Sequence, residues 1–188
     1  MNQKYLSQKY RIIIHYIGIV LTGLSLVMLT PLTAMIFYRD EIHQAASFII
    51  PGILVMLAGL LMKRVKTGDF VLRCQEAGII VVISWILVIL ASAVPFMAEG
   101  YLNFSQSVFE TTSAWTTTGL SMVDVSSMSR TFLLWRSIMQ LFGGAGIAVI
   151  MLAAVIGPKG AGLYTAEGRT DRLRPNVINS VHIIVYIY

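Results

Sequence analysis

Four long apolar runs constrain the fold of this 188-residue chain more than any other feature. They cover residues 12–37, 45–62, 77–98 and 132–156, and each contains 18 or more mostly apolar residues. A helix of about 20 residues, rising about 1.5 Å per residue, crosses the roughly 30 Å of hydrocarbon in a bilayer. The chain is 56% hydrophobic and only 12% charged. We therefore predict an all-α polytopic membrane protein with four spanning helices.

The two ends of the chain indicate a longer protein. A fifth apolar run begins at Val181, but the sequence stops at Tyr188, after too few residues to span a bilayer. The first run is too long for a cleavable signal peptide, and no small-residue cleavage site follows it. We expect the first helix to be retained and the chain to be the N-terminal portion of its protein.

Lysine and arginine predict the orientation, because loops rich in these residues stay in the cytoplasm. Outside the apolar runs, only Arg39 and Arg130 fall on the side opposite to the N-terminus. We expect a cell-membrane protein with a cytoplasmic N-terminus, and residues 38–44 and 99–130 outside. Topology and contact with membrane lipid account for the net charge of +5, so no nucleic acid is expected as a partner. The basic residues assigned to the cytoplasmic side are Lys4, Lys9, Arg11, Lys63, Arg64, Lys66, Arg73, Lys159, Arg169, Arg172 and Arg174.

The outer connection contains a short helical pattern, FSQSVFETTSAW, at residues 104–115. Asn103 is its candidate N-cap, and Ser107 and Glu110 have capping-box spacing. Phe104, Val108, Thr112 and Trp115 fall on one helical face. Twelve helical residues extend about 18 Å, roughly half the hydrocarbon thickness. An extended segment over residues 116–121 would rise back by about 20 Å. This length match predicts a re-entrant pore loop.

The sequence TTTG at residues 116–119 is suited to binding a dehydrated cation at the bottom of such a loop. The C-terminal end of the short helix is partially negative, and carbonyl oxygens of the following segment replace water around the ion. Threonine hydroxyls add oxygens, and their β-branching stiffens the backbone. Gly119 permits backbone angles that residues with a Cβ reach only at a cost.

Two longer stretches resemble a known family. SVFETTSAWTTTGLSMVDVSSMSRTFLLWRSIMQLFGGAGIAVI, followed by EGRTDRLRPNV, is similar to the first pore repeat of the Trk/Ktr/HKT potassium transporter superfamily. The nearest resemblance is to the prokaryotic Trk-type transmembrane subunit. It implies four M1-P-M2 repeats around a potassium pore, each contributing one filter strand, and only the first repeat is present here.

The resemblance also implies site residues and partners. Thr117, Thr118, Gly119 and Leu120 would supply filter carbonyls to potassium, with Thr116 and Ser121 at the filter edges. The complete subunit would form a homodimer and bind a cytosolic nucleotide-binding regulatory subunit. No cofactor is implied, because potassium is the substrate.

Two features of the fourth run have open interpretations. Arg136 either extends to the outer interface or braces the pore loop, for example through Glu110. Gly143, Gly144 and Gly146 either permit close helix packing or form a flexible gating segment below the filter. Glu110, with Glu99 and Asp124, could also draw cations toward the pore mouth.

The sequence contains no pattern of catalytic residues and no metal-ligand spacing among its histidines, so an enzyme is not expected. We divide it into an N-terminal transmembrane hairpin at 1–66, a first pore repeat at 67–160, and a linker with the start of a second repeat at 161–188. Two alternatives to potassium transport remain at this point. They are a homotetrameric cation channel with one repeat per chain and a membrane scaffold that does not transport.

Overall fold

The computed structural model describes residues 3–66 and 74–156, with side chains over 8–66 and 78–145, and this part of the chain contains helices without strands. Residues 157–188, with the predicted linker and the run from Val181, lie outside the described residues. Short 3₁₀ turns occupy Thr30–Thr33 and Arg39–Gln44. The helices are α1 (Gln3–Leu29), α2 (Ala34–Phe37), α3 (Ala45–Lys63), α4 (Cys74–Ala98), α5 (Phe104–Trp115) and α6 (Arg130–Ile156).

Three helical stretches of the described chain are long and apolar enough to cross a membrane, namely Gln8–Phe37, Arg39–Lys63 and Gly78–Ala98. They overlap the first three predicted spans and confirm them. The fourth predicted span falls in α6, which has 27 residues and extends about 40 Å. The membrane-protein architecture predicted from the apolar runs is therefore correct.

The N-terminal hairpin consists of α1 to α3 and is interrupted where proline predicts a bend. Pro31 lies in the 3₁₀ turn that ends α1, because its ring prevents a regular α-helical hydrogen bond. Further along, α1 and α3 approach closely at Gly18 and Gly59. A Cβ on Gly59 would lie 2.7 Å from the hydroxyl oxygen of Thr22, so only glycine fits without a shift.

An aromatic cluster joins the hairpin to the rest of the protein. The ring of Phe132 lies 4.9 Å from that of Phe48 in α3, 5.2 Å from that of Phe96 in α4 and 4.9 Å from that of Tyr101. Phe48, Phe96 and Phe132 are fully buried. Truncating one such ring to alanine typically costs about 3–5 kcal/mol. The cluster fixes the N-terminal end of α6 against both the hairpin and α4.

Candidate functional site

Helix α5 has the predicted bounds, but its capping box is formed by other residues than the predicted pair. The side chain of Asn103 accepts a hydrogen bond from the Gln106 amide at 3.0 Å, and the Gln106 side chain accepts one from the Asn103 amide at 3.1 Å. The predicted pairing of Ser107 with Glu110 as a capping box is wrong. Both side chains are fully buried, since they lie on the side of α5 that packs against the protein.

The buried residues of α5 coincide only in part with the face on which its hydrophobic pattern falls. Phe104 is 62% exposed, whereas Ser107, Glu110, Thr111 and Ala114 are buried. Small and polar side chains can be buried here because each polar atom has a hydrogen-bond partner. Thr111, for example, donates to the Ser107 carbonyl at 2.9 Å. The hydrophobic pattern alone did not indicate these partners.

The C-terminal end of α5 contacts the middle of the neighbouring long helices. The indole nitrogen of Trp115 donates to the hydroxyl of Ser92 in α4 at 3.0 Å, and its ring stacks edge-on to that of Trp85 at 6.5 Å. On the other side, the Trp115 backbone lies directly against Gly143 of α6, where an added Cβ would come within 2.7 Å of the Trp115 carbonyl carbon. This placement is consistent with a re-entrant helix that ends at mid-depth.

A Schellman motif turns the chain at the end of α5. The amide of Thr117 donates to the Ala114 carbonyl at 3.1 Å, and that of Thr118 donates to the Ser113 carbonyl at 3.0 Å. Helix α4 ends in the same motif, with Gly100 at the left-handed position. Thr117 occupies that position in α5 with a φ of +56°, which costs a residue with a Cβ about 1–2 kcal/mol.

The segment after this turn presents unpaired backbone oxygens. Residues 116–122 are exposed, and within the described part of the chain the carbonyls of Thr116, Thr117, Thr118 and Gly119 accept no hydrogen bond. Gly119 has a φ of +81° and open space where a Cβ would stand. Free carbonyls concentrated at the partially negative end of a helix form a favourable site for a cation.

The chain then returns alongside α5, held by two side chains of that helix. The Ser113 hydroxyl donates to the Leu120 carbonyl at 2.5 Å, and the Met122 amide donates to the Glu110 carboxylate at 2.8 Å. Thr116 lies six positions after Glu110, so the loop climbs about 9 Å to reach the level of Glu110. The climb is shorter than the 20 Å expected for a fully extended chain, because Thr117 and Gly119 have positive φ.

A buried ion pair supports the returning segment. Nε of Arg136 lies 2.5 Å from Oε1 of Glu110, as an ion pair rather than an in-line hydrogen bond, and Glu110 is fully buried. The Ser121 hydroxyl donates to the same carboxylate at 3.1 Å. Of the two interpretations of Arg136, this geometry supports the brace. Glu110 is therefore not available to draw cations to the surface, contrary to expectation.

Two other acidic groups differ in how freely they face solvent. Glu99 accepts from Ser47 at 2.7 Å and lies 3.8 Å from the imidazole of His43. Asp124 is exposed, and hydrogen bonds from the side chain and amide of Ser126 hold the pKa of its carboxyl below the ordinary value. Asp124 is therefore ionised at neutral pH and adds negative charge near the loop.

Of the three glycines predicted as structural or gating residues in α6, one has a packing contact in the structure. Gly143 has a packing role, because the backbone of Trp115 occupies the space of a side chain. Gly144 and Gly146 follow in the same helix. The described residues contain no cluster of three or more histidine, cysteine, aspartate or glutamate side chains that could hold a metal ion. Oxygen ligands for a cation are thus concentrated in the loop backbone.

Long apolar helices, with a short helix that leads into an exposed loop of unpaired carbonyls, define a polytopic membrane protein. A family model described as TrkH, cation transport protein, matches residues 43–188. The chain belongs to this family of cation transport proteins. Since the family consists of transporters, the expectation that the protein is not an enzyme is confirmed.

Individual relatives agree with this assignment. The Trk system potassium uptake protein TrkG of Escherichia coli is 32% identical over 95% of this chain, and an uncharacterized cation transporter of Methanocaldococcus jannaschii is 29% identical over 94%. The crystal structure of the potassium transporter TrkH from Vibrio parahaemolyticus matches 95% of this chain with a TM-score of 0.76 and 26% identity. The chain spans only 37% to 38% of those two relatives and 36% of the TrkH chain.

Proposed function

We propose that this chain is the N-terminal portion of a pore-forming subunit that takes up potassium across the cell membrane. One observation carries the proposal, namely the four unpaired carbonyls of Thr116 to Gly119 on the exposed loop that follows α5. The printed names of relatives such as the Escherichia coli TrkG potassium uptake protein support potassium as the ion.

In the proposed mechanism, carbonyls of Thr117, Thr118 and Gly119 replace part of the hydration shell of potassium, with Thr116 and Ser121 at the filter edges. Leu120 is the least available of the predicted ligands, because its carbonyl already accepts a hydrogen bond from Ser113. One strand supplies only part of a coordination shell. Three further loops, outside this chain, would complete the ring.

The proposed organisation follows the sequence interpretation. Residues 1–66 form the N-terminal hairpin, 67–160 the first pore repeat, and 161–188 the linker with the start of the second repeat. The N-terminus lies in the cytoplasm of a prokaryotic cell. The complete subunit forms a homodimer and binds a cytosolic nucleotide-binding subunit, and Gly144 and Gly146 lie where gating takes place.

The substitution Gly119→Ser tests the filter in a complete transporter that contains this sequence, reconstituted in vesicles. At a φ of +81°, serine costs about 1–2 kcal/mol and displaces the neighbouring carbonyls. We expect the preference for rubidium, a potassium analogue, over sodium to decrease. Radioactive rubidium and sodium uptake at equal amounts of folded protein measures this preference.

Gly100→Ser is the matched control. Gly100 has a φ of +77° and equally open surroundings, yet it lies at the end of α4 outside the loop. Both substitutions introduce a similar backbone strain, so Gly100→Ser controls for the loss of stability that such strain causes. Equal ion preference in the Gly119→Ser variant and the parent would refute the filter assignment. Vesicles without any ion flux would instead favour the scaffold.

A further inference from the structure

The turn between α2 and α3 contacts both ends of the segment that carries the loop. We call Glu41, Gln44, Ser47 and Phe48 the outer clamp. All four are buried. Their partners belong to two groups, residues 99–101 just before α5 and residues 129–135 at the start of α6. The clamp therefore connects the points where the chain enters and leaves the segment 104–129.

On the entry side, the clamp holds the connection between α4 and α5. The Ser47 hydroxyl donates to the Glu99 carboxylate at 2.7 Å, and the Gln44 amide nitrogen donates to the Tyr101 hydroxyl at 3.2 Å. Tyr101 also packs its ring on Phe132 at 4.9 Å. These contacts with the hairpin therefore fix the position at which α5 begins.

On the exit side, Glu41 caps α6 from outside that helix. Its carboxylate accepts from the Arg130 amide at 2.9 Å, from the Thr131 amide at 2.9 Å and from the Thr131 hydroxyl at 2.6 Å. The first turn of α6 contains no acidic residue of its own. A carboxylate at a helix N-terminus satisfies free amides and interacts favourably with the helix dipole.

Ser129 shows that this cap comes from the hairpin rather than from the helix itself. A serine just before a helix commonly caps that helix with its own hydroxyl. Here the Ser129 hydroxyl donates instead to the side-chain oxygen of Gln44 at 2.7 Å. The guanidinium of Arg130 lies 4.3 Å from the ring centre of Tyr38, which adds a cation–π contact at the same end.

We propose that the outer clamp sets the geometry of the filter loop by fixing both ends of segment 104–129, and that Glu41 is its main positioning residue. The inference goes beyond ion transport itself and rests on the proposed filter. It gives the N-terminal hairpin a role in ion selectivity, although among the described residues none of the hairpin donates a hydrogen bond to the carbonyls of residues 116–119. The carboxylate acts through α6, because Arg136 of that helix pairs with Glu110, which holds Met122.

Glu41→Gln tests the clamp in a complete transporter, with Asp40→Asn as the matched control. The Asp40 side chain is exposed and neighbours Glu41 in the sequence. Glutamine keeps the size of glutamate but removes its charge and half of its acceptor capacity. At equal amounts of folded protein, we expect the rubidium preference over sodium to fall at least about threefold in Glu41→Gln and to stay unchanged in Asp40→Asn.

Hydrogen exchange provides a readout that does not depend on transport. Losing bonds to a charged acceptor should speed exchange of the Arg130 and Thr131 amides about tenfold to a hundredfold. If the clamp positions the loop, exchange also rises in residues 116–123. A change limited to residues 130 and 131, with normal ion preference, would overturn the proposal.

The two proposals fail in different ways. If Gly119→Ser alters ion preference but Glu41→Gln does not, the filter stands and the clamp is refuted. If neither alters it, the filter assignment fails, and exchange in residues 116–123 alone decides the clamp. Should Glu41→Gln not fold, Thr131→Val removes a single hydroxyl donor and the same two measurements apply.

Discussion

The buried pair of Glu110 and Arg136 gives the sharpest prediction. Arg136→Met keeps most of the apolar length of the arginine side chain and removes its charge. It leaves the fully buried carboxylate of Glu110 without a cation. Glu110→Gln leaves Arg136, whose side chain is 13% exposed, without an anion. We expect both single substitutions to destabilise the complete transporter.

The magnitude follows from the burial of the pair. Removing one partner of a buried ion pair costs about 3–5 kcal/mol, because the remaining charge is desolvated and uncompensated. The combination of Glu110→Gln with Arg136→Met removes both charges at once. Since replacing a whole buried pair is often close to neutral, the double variant should be more stable than either single variant.

The two single variants should also differ in function. Arg136→Met retains the hydrogen bonds from Ser121 and Met122 to Glu110, whereas Glu110→Gln weakens them. Arg136→Met should therefore change ion preference less than Glu110→Gln does, while both substitutions lower stability. Thermal unfolding in detergent and paired rubidium and sodium uptake measure the two effects. A double variant less stable than both singles, or a larger change of ion preference in Arg136→Met than in Glu110→Gln, would refute this reasoning.

Two further substitutions test the end of α5. Gly143→Ala should destabilise the protein by about 1–3 kcal/mol, because the new Cβ meets the backbone of Trp115. Gly23→Ala is the control in thermal unfolding, because no atom lies within 4 Å of its added Cβ. Thr117→Gly should raise the free energy of unfolding by about 1 kcal/mol by relieving its positive φ. A lower unfolding midpoint in Thr117→Gly, or equal midpoints for the two alanine variants, would contradict these explanations.

The sequence predicted those features that depend on local pattern or length. The apolar runs predicted the long helices, and the twelve-residue pattern gave the bounds of α5, with Asn103 as its N-cap. Each of these signals lies within a few residues of its effect.

Features that depend on distant partners were missed. Glu41 lies 90 residues from Thr131, and no local pattern shows that a residue of a short outer turn will cap a helix so far along the chain. Glu110 has the spacing of a capping-box residue, but its charge is satisfied by Arg136 instead. Ser92 likewise gave no sign of its bond to Trp115. Tertiary contacts determined the role of each residue.

The attachment of α6 to α5 at two points restricts how α6 can move. One point is the ion pair of Arg136, and the other is the contact of Gly143 with Trp115, about 10 Å further along the helix. Rotating α6 about its axis, or sliding it along α5, would break both contacts and disturb the loop. Bending α6 after Gly143 breaks neither. The N-terminal half of α6 and the loop therefore form one rigid unit, and a bend of α6 that leaves the loop undisturbed has to lie after Gly143.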